Sequence, residues 1–68
     1  MSTNENKARV INAAYKYSEE LGKEVEALAN NPTDRERLER VRELVNRQFG
    51  KEAGLVYETV VAALGVPG

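Results

Sequence analysis

Apolar residues recur through the first half of the chain at spacings of three and four. Val10, Ile11, Ala14, Tyr15, Tyr17, Leu21, Val25, Leu28 and Ala29 fall on a single arc of roughly 160° when wound at about 100° per residue. Arg9, Asn12, Lys16, Glu19, Glu20, Lys23, Glu26 and Asn30 take the opposite side, with Glu5–Arg9 and Glu19–Lys23 at helical i,i+4 spacing. The pattern predicts one amphipathic helix from about residue 3 to residue 30. Ser2 and Glu5 have the spacing of a capping box at its start, and Gly22 weakens it by only about 1 kcal/mol. Ile11, Ala14, Ser18, Leu21, Val25 and Leu28 form a coiled-coil-like seam along it.

Asn30-Asn31-Pro32-Thr33 breaks the pattern, because proline drives the preceding residue out of the helical region. Thr33 and Glu36 form a second capping box and predict a helix over 33–49. Its apolar side is Leu38, Val41, Leu44, Val45 and Phe49; Gln48 shares that side and needs a partner where buried. A third helix starts within Gly50–Leu55. It begins near Lys51 if Gly50 ends the second helix, or at Leu55 if Gly54 does, with Leu55 folding back on Phe49. It runs to Leu64, where Gly65-Val-Pro-Gly68 supplies a cap and a stop. The expected fold is all-α, a three-helix bundle with helices at about 3–30, 33–49 and 51/55–64, forming one domain over 1–68.

Composition narrows the function. Net charge is −1, so no broad field steers the chain toward nucleic acid or an anionic membrane. The polar opening residues lead into no apolar run, giving no sign of a secretory leader. The mostly apolar stretch Leu55–Val66 is too short to span a bilayer and contains Glu58. A cytoplasmic location without membrane association is therefore the default expectation. Cysteine and histidine are absent, which removes disulfides, thiolate chemistry, zinc-thiolate sites and the commonest general base. The hydroxyls at Ser2, Thr3, Ser18, Thr33 and Thr59 have no such group to activate them. Glu20/Glu24 and Glu39/Glu43 are carboxylate pairs at helical spacing, but acid–base work needs a cleft that separates their affinities for protons, and both pairs have basic neighbours. No catalytic residue, metal ligand or cofactor is expected, and the chain is expected not to be an enzyme.

Half of the ten basic residues lie in the second predicted helix. Arg37, Arg40, Arg47 and Lys51 fall within roughly 80° of one another and could follow phosphates, with Tyr57 beside them. Glu36, Glu39 and Glu43 are interleaved with this stripe, as on a solvated, ion-paired face. The segment Glu52-Ala-Gly-Leu-Val-Tyr-Glu-Thr-Val-Val-Ala-Ala-Leu-Gly65 resembles the turn and second helix of lactose-repressor-type helix-turn-helix headpieces. Ala53, Gly54 and Leu55 match the family's small residue, turn glycine and following apolar residue; Thr59, Val60 and Leu64 match recognition-helix positions. The resemblance implies a helix-turn-helix DNA-binding protein using residues 49–64. Val56 stands where that family has a capping serine, and no basic residue follows Leu55, so a reading helix would offer Glu58 and little hydrogen bonding to bases.

The third helix has the least balanced pattern. Val56, Tyr57, Val60, Val61, Ala63 and Leu64 cover about half its circumference, and Leu55 and Ala62 interrupt the other half. Apolar residues on more than one side predict burial on more than one side. The first helix offers Ala14, Ser18 and Gly22 as an i,i+4 ridge of small residues, bracketed by Tyr15 and Tyr17. These residues, with Leu55, Val56, Tyr57, Val60, Val61 and Leu64, are the candidate interface. The chain is expected to self-associate as a symmetric homodimer, a heterologous protein being the other partner class, in an assembly, adaptor or inhibitor role. Tidy capping boxes and an alternating Glu/Arg face would also suit an engineered scaffold, whereas six asparagines and a valine-rich core argue the other way.

Overall fold

The computed structural model describes residues 3–67, and these form helices joined by short turns, with no strand. α1 spans Thr3–Tyr17, α2 Glu19–Asn30, α3 Arg35–Phe49 and α4 Ala53–Leu64, with one 3-10 turn over Gly50–Glu52 between the last two. The expectation of an all-helical globule holds. The single helix expected over 3–30 does not: it is divided at Ser18. That residue is extended (φ −159°, ψ 146°), and its hydroxyl oxygen accepts from the Leu21 amide at 3.1 Å. Serine followed by Glu19 and Glu20 makes an N-terminus that the helix dipole favours, so α2 starts afresh.

The bend folds α1 back on α2. Tyr15 lies on Gly22, where an added Cβ would meet the tyrosine ring and come within 2.8 Å of its Cα. Glycine at 22 is what permits this approach. The Tyr15 hydroxyl donates to Glu26 Oε1 one turn further along α2. Its pKa is raised above the ordinary 10, chiefly because that hydrogen bond holds the phenol proton.

α2 ends at Asn31, whose amide donates to the carbonyls of Ala27 and Leu28. The second predicted helix starts at Arg35 rather than at 33. Asp34 is the cap, accepting from the Arg37 amide at 3.1 Å, while the Thr33 hydroxyl turns back to Asn31 Oδ1 at 3.0 Å. A carboxylate one residue later takes the place predicted for the threonine. Gly50 (φ 55°) ends α3, leaving Gly54 inside the first turn of α4. Gly65 closes α4 in the left-handed region, and the Val66 amide reaches the Val61 carbonyl at 3.1 Å, the six-to-one bond of a Schellman cap. Ser2, part of the first predicted capping box, lies outside the described residues.

The core is Leu21, Val25 and Leu28 from α2, Val41, Leu44 and Val45 from α3, and Ala53, Val60 and Leu64 from α4. Among the described residues of α1, Ala14 alone is buried, with Val10 and Ile11 packed partly against the cluster. α2 and α3 are also joined by Arg37 Nη1 and Glu24 Oε2 at 2.9 Å.

Candidate functional site

The junction of α1, α2 and the end of α3 forms one wall of the main apolar depression. Tyr17 stacks on Phe49, with ring centroids 4.4 Å apart and planes at 28°. Its hydroxyl donates to the Gln48 carbonyl at 3.1 Å. Gln48 Nε2 donates to Ser18 Oγ at 3.4 Å, whereas Gln48 Oε1 is buried without a partner. The polar side chain on the apolar side of α3 is thus half satisfied, through the residue that breaks the first predicted helix.

From this wall an open groove of about 380 Å³ runs between α1 and α4. Ala14, Leu21 and Val60 form its floor, and Tyr17, Phe49 and Leu55 stand at its sides. Among the described residues that line it, none is charged. Thr59 is its most polar contributor, and that hydroxyl already donates to the Leu55 carbonyl at 2.9 Å. Beyond Val10 and Thr59 the depression continues into a second recess bounded by Asn6, Arg9, Ala62 and Ala63. Leu55 is 71% exposed and Tyr17 53% exposed.

The candidate interface residues divide by burial. Ala14, Gly22, Val60 and Leu64 are interior positions of the single chain. Ser18, Val56, Tyr57 and Val61 are half-buried, while Tyr15, Tyr17 and Leu55 are exposed. The ridge Ala14–Ser18–Gly22 is not continuous on one helix. Its first and last members lie in two helices, and Gly22 accommodates this chain's own Tyr15. What the fold assembles instead is a patch built from Tyr17, Leu55 and Val56, joined by Val10, Ala13 and Phe49. Those last three were not among the expected interface residues. Val10 and Phe49 carry a signal as apolar positions of their predicted helices, whereas Ala13 lies outside the apolar arc of the first.

The residues proposed for phosphates lie among carboxylates. Arg37 is bonded to Glu24, and Arg40 and Arg47 share a recess of about 150 Å³ with Glu20, Glu24 and Glu43. Lys51 is exposed on the 3-10 turn, and Tyr57 has the Arg42 guanidinium 5.8 Å from its ring centroid. The α3–turn–α4 unit has the connectivity of a helix-turn-helix, but the exposed positions of α4 are Gly54, Leu55, Glu58, Thr59 and Ala62. Among the described residues no group of three acidic, histidine or cysteine side chains is arranged to hold a metal ion. No described helix is long and apolar enough to cross a membrane. Comparison with known proteins gives no matching family model, curated protein or solved structure.

Proposed function

We propose that the chain is a non-enzymatic helical interaction module that self-associates through the α1–α4 groove. The observation that carries this reading is Leu55, the most exposed large apolar side chain among the described residues, standing beside a groove whose described lining residues carry no charge. Such a patch has free energy to gain from leaving water, at about 25 cal/mol per Å². Knob and hole lie on the same surface, so a twofold axis lets Leu55 of each copy enter the groove of the other. A stable pairing needs about 800 Å² from each partner, roughly a sixth of the chain's 4591 Å². Leu55 cannot supply that alone. The contact must extend along the groove toward Ala62 and Ala63.

Leu55→Glu tests the reading. Glutamate suits the first turn of a helix and Leu55 is largely in water, so the fold should persist while the pairing is lost. Light scattering should report 7.6 kDa for the variant and about twice that for the native chain at high micromolar concentration. A native chain that stays monomeric but binds a different protein through Leu55 would move the module to the heterologous class. The DNA-binding reading has less support, since the exposed side of α4 carries Glu58 and no cation.

A further inference from the structure

α1 and α2 meet in a bend made by one residue. Ser18 alone leaves the helical region there, with no proline and no positive-φ residue at the junction. Helical bonding runs up to Ser18 and resumes after it. Its amide donates to the Ala14 carbonyl at 2.9 Å, and the Gly22 amide donates to the Ser18 carbonyl at 3.0 Å. The bend interrupts the bonds that the amides of residues 19, 20 and 21 would make to the carbonyls of 15, 16 and 17 in a continuous helix. The Leu21 amide turns to Ser18 Oγ instead. The apolar spacing of three and four passes through the bend unbroken, so the same stripe would lie on one face of a straight helix over 3–30. α1 is also the helix with least in the core, contributing Ala14 where α2 contributes Leu21, Gly22, Val25 and Leu28.

We propose that Ser18 is a hinge at which α1 and α2 join into one continuous helix, so that α1 is exchanged between two copies of the chain. Each α1 then docks on the α2 and α4 of the other copy in place of its own. A second copy is the fitting occupant because the surfaces that α1 packs on, those of α2 and α4, belong to this same sequence. Exchange rebuilds the packing of α1 between chains and adds the interrupted backbone bonds in each, against the loss of the Tyr15 contacts with Gly22 and Glu26 inside the bend. It differs from the groove pairing, which leaves both chains bent.

Two small side chains hold the bend, and replacing them should open it. Ser18→Ala removes the cap of α2. Gly22→Ala places a Cβ against the Tyr15 backbone in the bent chain, yet favours a continuous helix. Glu19→Pro should do the reverse. Proline is accepted at the first position of a helix and holds the residue before it extended, which is the conformation Ser18 already has.

The experiment is done on Leu55→Glu chains, so that groove pairing does not contribute. Light scattering on Ser18→Ala/Gly22→Ala should show a dimer at high micromolar concentration, with an association constant at least about tenfold above the Leu55→Glu parent. The chain has no native cysteine, so Asn6→Cys and Asn30→Cys can carry spin labels, diluted with unlabelled protein to give the distance within one chain. A straight helix separates these positions by about 36 Å, so opening the bend should lengthen the distance relative to the bent Leu55→Glu parent. A double variant that remains at 7.6 kDa, folded or not, overturns the hinge. So does a dimer whose 6–30 distance is no longer than that of the monomeric Leu55→Glu parent, or a Glu19→Pro chain that dimerises as strongly as the double variant. Loss of the hinge leaves the Leu55 pairing intact, and loss of that pairing leaves the hinge intact.

Discussion

Tyr15 ties α1 to α2 with a proton, and that gives it a pH signature. Its folded-state pKa lies above the ordinary 10 because its hydroxyl donates to Glu26. A raised folded pKa contributes stability in full below the unfolded value, which is lost as pH rises through the folded one. Alkaline denaturation should therefore be steeper for the native chain than for Tyr15→Phe between about pH 10 and the raised value. In Glu26→Gln, the Tyr15 titration followed by ring-carbon NMR should move back toward 10; an unmoved titration would remove Glu26 as the cause. At the other turn, Asp34→Ala should cost about 1 kcal/mol as a lost cap. Thr33→Val should stay within about 0.5 kcal/mol. Thermal unfolding that ranked these two in the opposite order would return the cap to Thr33. Part of this was legible in the residues themselves. Asp34 and Thr33 are both good caps standing side by side, and spacing to Glu36 favoured the threonine, whereas the helix starts where a carboxylate meets the Arg37 amide. At Ser18, a serine followed by two glutamates is a start signal, masked because the apolar stripe continues across it.

Helix by helix, periodicity reveals which faces are apolar but not how consecutive helices are angled. The residues of α2 and α3 with helical spacing are the ones found in the core, and the break at Asn31–Pro32 falls where proline predicts it. The bend at Ser18 depends instead on Tyr15 lying on Gly22, a contact between two residues that sequence spacing reads as ordinary members of one helix. The uneven burial of the helices has a dynamic consequence. Elements with few buried contacts open first, so amide exchange in α1 should be faster than in the middle of α2 and α3. Equal protection across all of them would contradict the packing. Leu28→Ala, at a fully buried position of α2, should cost about 2–5 kcal/mol. A domain of this size has little more than that to lose, so the variant should be largely unfolded by circular dichroism at 37 °C.

For the whole molecule, the unbalanced third predicted helix pointed toward an apolar surface, and Leu55 and Ala62 are exposed in the fold. What could not be read beforehand is that α1 and α4 together make the groove. Val60 and Leu64, expected at the interface, are instead buried within the single chain. A chain of this length without disulfides gains from covering such a surface. The central claim is that the chain covers it with a second copy of itself, and the measurement that tests it most directly is the thermal midpoint as a function of protein concentration. Association stabilises the folded state by mass action, so the native midpoint should rise with concentration while that of Leu55→Glu stays constant and matches the native value at high dilution. A native midpoint independent of concentration, together with a mass of 7.6 kDa at high micromolar concentration, would contradict it.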